Sequence, residues 1–324
     1  MNDVLPDGRS LDLLDHPFDQ YQRYEDVSQV VEAMRAQATS AEFRILDVGG
    51  TRLSQCFLAR DRVTPINLEA TPGAKLLGSG ARLPFADRSY DLVITVDTLE
   101  HVPRPQRSAF LTELLRVAIR GIVVTGPFSS GLNEAAEKIL LEYITQVLGQ
   151  QHRFLSEHAE HGLPDLNECL QIIADCGAEP LVVPSGYVQH WLPLMIIRHG
   201  LLEISDGHAL AAEMDRLYNA TSYWSDHRSP SYRQILIAAQ AEFAPALAAI
   251  QHTFQSTAQD APDLNGVLAL WQAVRWQALL KEYKEKIQSL EAKNERLSQL
   301  VTDYESGRFM RIMAKLKRAR RARS

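Results

Sequence analysis

Apolar positions along the first 240 residues predict an alternation of helices and strands. Over residues 18–38, Val27, Val30, Val31 and Met34 recur at helical spacing and indicate an amphipathic helix that packs on the core. Short continuous apolar runs, each of strand length, follow at 43–48, 62–69, 90–96, 121–125, 180–184 and 232–239, with helical patterns at about 105–118 and 166–176. Continuous apolar strands separated by helices form parallel sheets that are covered on both faces. The pattern therefore predicts an α/β fold.

Two long segments, 127–163 and 186–230, each follow a predicted strand. In an open α/β sheet both begin at the carboxyl edge, where ligands bind, so we interpret them as inserts that cover the substrate site. The second insert is rich in aromatic side chains. They are Tyr187, His190, Trp191, Tyr218, Tyr223 and Trp224. Such residues suit a sugar-binding lid and equally suit an ordinary small core, and the sequence leaves both interpretations open.

From Trp276 onward the apolar spacing becomes a heptad. One core position holds Leu280, Ile287, Asn294 and Val301, and the other holds Trp276, Tyr283, Leu290, Leu297 and Tyr304. β-branched residues at the first position, leucine and aromatic residues at the second, and one asparagine favour a parallel two-stranded coiled coil. A long helix folded back on its own domain is the alternative, which the charged outer face of 281–296 disfavours. We therefore predict a coiled coil over 265–306 and a homodimer through 276–304.

Charge is distributed unevenly along the 324 residues, whose net charge is −6. Residues 308–324 carry eight Lys or Arg and no acidic residue, which leaves −14 on the rest. An acidic body argues against a specific nucleic-acid groove. In the tail, Phe309, Ile312, Met313 and Leu316 share one helical face, which suits an anionic membrane surface. A solvated disordered tail, and non-specific binding of nucleic acid or of an acidic protein, are the alternatives.

Neither a membrane-spanning apolar run nor a leader pattern is found, and the three cysteines are not spaced as metal ligands. We expect a cytoplasmic protein, with the basic tail as a means of peripheral binding at the inner face of the membrane. The predicted division is a helical cap at 1–40, a main domain at 41–242, a helix and linker at 243–264, the coiled coil at 265–306 and the tail at 307–324.

Two strand ends predict an adenosine site. The first strand ends in I-L-D-V-G-G-T (45–51), a glycine turn whose backbone N–H groups a ligand can approach closely. The second ends in N-L-E, which puts the carboxylate of Glu69 beside this turn, where it can accept both hydroxyls of a ribose. A dinucleotide is not expected, because Thr51 and Leu53 stand where further glycines would hold its pyrophosphate.

The motifs D-V-G-G (47–50), L-E (68–69), G-S-G-A-R-L-P-F-A-D-R-S-Y-D-L-V (78–93) and D-T-L-E-H-V-P (97–103) resemble those of class I S-adenosylmethionine (SAM)-dependent methyltransferases. The resemblance covers about 43–128. It is greatest to a group that includes quinone-biosynthesis methyltransferases and bacterial methyltransferases of surface-glycan gene clusters. It implies a Rossmann-like fold with a mostly parallel seven-stranded sheet, and SAM as cofactor.

The same resemblance implies roles for individual residues. Asp47, Gly49 and Gly50 would shape the amino-acid end of the SAM pocket, Glu69 would hold the ribose, Ser79, Gly80 and Ala81 would border the adenine, and Asp97 would close the pocket. Two positions depart from the family pattern. Thr51 replaces the usual second glycine, and Ser79 stands where an aspartate commonly accepts from the adenine amino group. Because a serine oxygen accepts more weakly than a carboxylate, we expect modest affinity for SAM.

Methyl transfer requires alignment of the acceptor and, for a hydroxyl, removal of its proton. The first insert carries three histidines close together, at 152, 158 and 161. Imidazole titrates near neutrality, so we predict His158 as general base with His152 as the next candidate; hydrogen bonding within the lid is the alternative for each. Oxygen is the expected acceptor, because T-G-P-F-S-S (125–130) is unlike the N-P-P-Y motif of amino-methylating enzymes.

Asp97, Glu100 and His101 resemble a cluster found in ubiquinone O-methyltransferases, where a divalent ion could lower the pKa of a diol. In the simpler interpretation, which predicts no metal, Glu100 and His101 cap the next helix. The expected function is SAM-dependent O-methylation of a cell-surface saccharide or of its lipid-linked precursor. The alternatives are a quinone-like small-molecule acceptor and a non-catalytic scaffold assembled by the coiled coil.

Overall fold

The computed structural model describes residues 9–38, 42–71, 74, 76–205, 207–260 and 265–322. The chain forms two compact units, Met1–Asn265 and Gly266–Ser324. Among the described residues, no helix is both long and apolar enough to cross a bilayer.

One seven-stranded sheet organises the first unit. Its strands are β1 (Arg44–Val48), β2 (Arg62–Asn67), β3 (Leu76–Leu77), β4 (Tyr90–Val96), β5 (Ala118–Pro127), β6 (Glu179–Tyr187) and β7 (Ser231–Ala239). The order across the sheet is β3-β2-β1-β4-β5-β7-β6, and only β7 runs antiparallel to its neighbours. The predicted Rossmann-like α/β fold with a mostly parallel seven-stranded sheet is confirmed.

Helices cover both faces of the sheet and extend beyond it. They are α1 (Phe18–Ala36), α2 (Arg52–Phe57), α3 (Arg107–Val117), α4 (Gly131–Glu142), α5 (Arg153–His161), α6 (Leu166–Asp175), α7 (Val188–Leu202), α8 (Gly207–Thr221), α9 (Pro245–Asp260), α10 (Asn265–Ser306) and α11 (Arg308–Arg321). On one face, α1 and α9 pack on the sheet; Val27 and Ile250 belong to the same buried cluster as Ile45. On the other face, α3 and α6 bury Leu114 and Ile173.

The helix predicted as part of a linker belongs to the core. Ile250 and Phe254 of α9 are almost fully buried, so the first unit continues well beyond residue 242. The N-terminal helix is likewise part of the core, as its fully buried Val27, Val30 and Val31 show.

Strand boundaries differ from the predicted ones at several ends. β2 stops at Asn67 and leaves Glu69 two residues beyond it, because the Leu68 N–H donates to the Asn67 side chain (2.8 Å) instead of continuing the ladder. β5 and β6 are longer than their apolar runs, since both pair along their length with β7. The two-residue β3, Leu76–Leu77, is too short for its apolar residues to have predicted a strand.

Both inserts are helical. The first contains α4, a π-helical turn at Tyr143–Val147 and α5, and the second contains α7 and α8. Trp191, Tyr218 and Tyr223 of the second insert are at most 2% exposed. Of the two interpretations that the sequence left open, these three residues therefore form a small core rather than a sugar-binding surface.

The second unit consists of α10 and α11, separated at Gly307. Five of the heptad residues, Ile287, Leu290, Leu297, Val301 and Tyr304, are more than half exposed in the single chain, whereas Tyr283 is partly buried. The side chains of Trp276 and Leu280 lie outside the described part of the chain. The coiled coil remains a prediction.

Candidate functional site

The turn that follows β1 requires both of its glycines. Gly49 has φ +82°, and a Cβ there would lie 2.3 Å from the Thr98 hydroxyl. A Cβ on Gly50 would lie 2.2 Å from a carboxylate oxygen of Asp47. No other residue fits either position without displacing a neighbour, so the turn keeps its backbone free of side chains at the carboxyl edge of the sheet.

Asn67, at the end of β2, holds this turn in place. Its amide nitrogen donates to the carbonyl of Gly49 (3.2 Å) and to that of Gly50 (3.3 Å). Sequence reasoning missed Asn67, although it directly precedes the L-E motif. Glu69 is exposed and lies within electrostatic range of Arg153 on α5.

Asp47 is buried beneath the turn with no exposed surface. Burial raises the pKa of this carboxyl to about 7, and the hydroxyl of Ser54 acts in the opposite direction. That hydroxyl donates to the Thr51 carbonyl (3.0 Å), so neither oxygen of Asp47 receives a well-formed hydrogen bond from the described residues. A cationic group beside Asp47 would favour its ionised form, as the ammonium of an amino-acid ligand would.

Thr51, the first departure from the family pattern, begins α2. Its hydroxyl accepts from the Leu53 N–H (3.2 Å) as an N-cap, and the Tyr24 hydroxyl of α1 lies 3.4 Å away. Capping of this kind stabilises a helix by about 1 kcal/mol. The threonine therefore replaces the flexibility of a glycine with a fixed start to the helix.

The predicted adenine border lies beside the same turn. A Cβ on Gly80 would lie 2.2 Å from the ring of Phe110 and 2.8 Å from Val48, the last residue of β1. Ser79 is exposed, and its hydroxyl oxygen accepts from the Ala81 N–H (3.3 Å). The structure thus brings 79–81 and the glycine turn to one edge of the sheet.

Asp97 lies at the end of β4 with φ +44° and is committed to an ion-pair network. Its carboxylate accepts from Arg23 of α1 (2.6 Å) and from Arg233 of β7 (2.7 Å). Arg233 also contacts Asp19 (2.8 Å). Burial alone would raise the pKa of Asp97, but the two guanidinium groups outweigh it and hold the pKa well below its usual range. The sequence did not reveal the arginines, which lie 74 and 136 residues away.

Two histidines meet at this edge of the sheet. His101 follows β4 on a 3₁₀ turn (Leu99–His101), His158 lies on α5, and their Nε2 atoms are 3.4 Å apart. The Nδ1 atom of His158 is 2.8 Å from Glu137, and that of His101 is 3.0 Å from Glu157. The structure therefore brings the predicted base together with a histidine that the sequence had assigned to a helix cap.

The neighbouring carboxylates of Glu137 and Glu157 influence which ring nitrogen of each histidine carries the proton. A neutral imidazole carries one proton, and an Nδ1 atom that faces a carboxylate retains it. Because Nδ1 of His158 faces Glu137, the Nε2 atom of His158 presents a lone pair to His101. The Nδ1 atom of His101 lies 3.0 Å from Glu157 but makes no well-formed hydrogen bond with the described residues, so both tautomers of His101 are open. In the tautomer with the proton on Nδ1, the two Nε2 lone pairs face each other and the pair can take up a proton. Burial and the neighbouring His158 lower the pKa of His101, whereas Glu157 raises it.

The other two histidines of the first insert are outside this pair. His152 is the N-cap of α5, where its Nδ1 atom accepts from the Leu155 N–H (3.2 Å), and burial lowers its pKa. His161 is the last residue of α5. Capping uses the lone pair that a base would need, which makes His152 the weaker candidate.

Glu100 adds a third potential ligand atom beside the histidine pair. It is 1% exposed, and its Oε2 atom has no hydrogen-bond partner among the described residues. Burial, followed by the charge of Asp97, raises its pKa well above the usual range. Ligand atoms of Glu100, His101 and His158 all lie within 4.8 Å of one another, a set that could hold a divalent cation. Asp97, which the sequence grouped with Glu100 and His101, is instead paired with arginines.

Comparison with known proteins places the similarity in the first half of the chain. Residues 27–124 match the family model described as "Methyltransferase domain". Norajmaline N-methyltransferase of Rauvolfia serpentina is 28% identical over 116 residues, which are 36% of this chain and 32% of that enzyme. The aligned region thus spans about a third of the length of this relative.

Solved structures of methyltransferases are also similar to the chain. Magnesium protoporphyrin IX methyltransferase from Synechocystis PCC 6803, with bound SAH, aligns over 68% of this chain and 84% of its own, with 15% identity and a TM-score of 0.40. A putative sarcosine dimethylglycine methyltransferase from Galdieria sulphuraria aligns over 67% and 85%, with 13% identity and a TM-score of 0.41.

Proposed function

We propose that the whole chain is a SAM-dependent O-methyltransferase, on the premise that residues 27–124 match a methyltransferase domain. That match supports the predicted methyltransferase domain, for which SAM is the proposed methyl donor. The observation that carries the choice of oxygen is the His101–His158 pair, because a hydroxyl acceptor needs a base whereas an amine or a carbanion does not.

In the proposed reaction the acceptor hydroxyl gives its proton to the facing Nε2 atoms. SAM, when bound, would supply the methyl group to the acceptor oxygen, and breaking of its carbon–sulfur bond would leave S-adenosylhomocysteine as a neutral thioether. His101 is the more exposed imidazole, with 24% of its side chain accessible against 7% for His158. His101 therefore receives the proton first, while Glu137 holds His158 in orientation and stabilises the charged pair.

The acceptor that we propose is a cell-surface saccharide or its lipid-linked precursor, as the motif resemblance suggests. Phe154 supports a cyclic acceptor: it is 56% exposed and its ring lies 5.3 Å from that of His101. A pyranose or a quinol ring could pack against it. The test is methyl transfer from labelled SAM into glycan extracts and, in parallel, into quinone extracts; label found only in quinones would select the alternative acceptor.

Substitution of His158 tests the base. We expect His158→Asn to lower turnover by roughly 10²-fold or more while SAM affinity stays near that of the wild type, because the pair acts on the acceptor and not on the cofactor. His161→Asn, on the same helix but outside the pair, is the matched control. Normal turnover of His158→Asn would mean that His101 acts without its partner, that the role belongs to His152, or that no base is needed.

A divalent cation is a second candidate for lowering the acceptor pKa, favoured by the unpaired Glu100 oxygen. Turnover that is lost with a chelator and restored by added metal ions would support it, and chelator-resistant turnover would support the histidine pair acting alone.

A non-catalytic scaffold has little support. Thr51, which departs from the family pattern, caps α2 and leaves the glycine turn at 49–50 intact. Mass spectrometry of co-purifying SAM or S-adenosylhomocysteine tests it directly.

A further inference from the structure

The helix α11 has two chemically different faces. Phe309, Ile312, Met313 and Leu316 are 48–70% exposed, and at helical periodicity they fall within an arc of about 100°. The remaining surface carries seven Lys or Arg and no acidic residue. These apolar side chains are exposed to solvent in the single chain, which is unfavourable for so large an apolar surface. They also lie beside the highest density of positive charge in the chain.

A phosphate-rich bilayer surface matches both faces of α11 at once. Its anionic headgroups attract the basic residues, and the boundary between headgroups and acyl chains accepts the apolar side chains. A nucleic acid would match only the charge, because phosphate contacts make no use of a stripe of phenylalanine, isoleucine, methionine and leucine. Charge and exposed apolar area together therefore favour the bilayer.

One α11 helix of this size binds a membrane only marginally, but α10 can supply a second one. The exposed heptad residues Ile287, Leu290, Leu297 and Val301 form a seam that fits another copy of the same helix. In the parallel arrangement, Lys286 of one copy lies opposite Glu291 of the other, an attractive pairing across the seam. Parallel pairing also puts both α11 segments at the same end of the coil.

We propose that two copies of the chain pair through α10 and thereby present two α11 helices to an anionic membrane surface. The second helix then binds at the high effective concentration that the first creates. This proposal does not depend on methyl transfer, so it holds or fails separately from the proposed enzymatic function.

Flotation of the full-length chain with vesicles tests the surface. With phosphatidylcholine vesicles that contain anionic phosphatidylglycerol, we expect the protein to float at low salt and at least about tenfold less of it to float at about 0.5 M salt. Vesicles of phosphatidylcholine alone should recover little. Truncation after Gly307 should abolish flotation and leave SAM affinity unchanged.

A matched pair of substitutions separates the two faces of α11. Leu316→Asp and Ala314→Asp add the same charge, but position 316 is on the apolar face and position 314 is on the basic side. Leu316→Asp should reduce flotation at least fivefold more than Ala314→Asp. Equal losses would mean that charge alone acts and would overturn the docking of the apolar face.

The pairing step has its own matched variants. Leu290→Asp with Leu297→Asp places charges in the seam, whereas Ala292→Asp with Gln299→Asp places them on the outer face of the same helix. Only the seam variant should become a monomer by light scattering, and it should float at least fivefold less well. The proposal is overturned by flotation that survives truncation at Gly307, by a monomeric wild type, or by binding of single-stranded nucleic acid without binding of anionic vesicles.

Discussion

The cofactor side and the acceptor side of the carboxyl edge are built in different ways. On the cofactor side the turn at 49–50 is fixed by its own backbone, by Asp47 just before it and by Asn67 at the next strand end. On the acceptor side His101 and His158 come from segments 57 residues apart and depend on carboxylates of α4 and α5 for their orientation. Local sequence determines the first arrangement, and tertiary packing determines the second. Substitutions in the turn and in the residues that support it should therefore change SAM affinity and folding together, those at the exposed Glu69 should change affinity alone, and those at the histidine pair should change turnover alone.

The largest effect is expected for Gly49→Ala. A Cβ at φ +82° is strained and meets Thr98 at 2.3 Å, so we expect a loss of about 2 kcal/mol or more in unfolding free energy and at least about a hundredfold in SAM affinity. Urea unfolding and calorimetry measure the two quantities. Gly131→Ala is the control, because a Cβ there meets nothing within 4 Å and α4 should be unaffected or slightly stabilised. A stable, SAM-binding Gly49→Ala would show that the turn is not rigid.

Asp47→Asn should make stability less dependent on pH. Between pH 4 and 7 the unfolded carboxyl ionises while the buried one, with its pKa raised to about 7, stays protonated. The unfolded state then binds fewer protons, so the wild type loses stability as pH rises through this window. The asparagine variant lacks this loss, and its stability relative to the wild type should rise by up to a few kcal/mol between pH 4 and 7 and then level off.

Chemical unfolding in a pH series, without cofactor, measures this difference. The same variant should bind SAM at least about tenfold more weakly at pH 8, because it cannot offer a carboxylate to the ammonium group. A stability difference that does not vary between pH 4 and 7 would mean that Asp47 titrates normally in the folded protein.

The smallest of the three effects is expected for Glu69→Ala. Loss of a carboxylate that accepts two ribose hydroxyls should weaken SAM binding at least about tenfold, without a change in stability because Glu69 is exposed. Asn67→Ala should lower both affinity and stability, since it removes two hydrogen bonds from the turn. Unchanged affinity of a folded Glu69→Ala variant would assign the ribose to another residue at the end of β2.

The fold was predictable because its strands are apolar throughout. β4 and β5 are buried on both faces, so each appears in the sequence as a continuous apolar run. The short β3 and the core role of α9 were not predictable, because β3 consists of two exposed residues and nothing local to α9 shows that its apolar residues pack on the sheet. A helix pattern indicates which face is apolar, but it does not indicate what that face packs against.

The candidate site was predictable only in part, for the same physical reason. The glycines at 49 and 50 are required by local backbone geometry, so the short motif D-V-G-G was enough to predict the turn. The pairing of His101 with His158 and of Asp97 with two arginines depends on contacts across the whole unit, which leave no spacing signal in the chain. His101 was assigned to a helix cap because its partner lies on a distant helix.

The ion pairs of Asp97 with Arg23 and Arg233 limit which fragments of the chain can form the carboxyl edge of the sheet. Residues 27–124, which match the methyltransferase model, contain Asp97 but neither Arg23 nor Arg233. A fragment cut at those boundaries would hold this carboxylate, 11% of whose side chain is exposed in the intact chain, without either of its counter-ions. On the ribosome, likewise, the ion pairs of Asp97 cannot be completed until β7 has emerged, by which time most of the first unit has been synthesised.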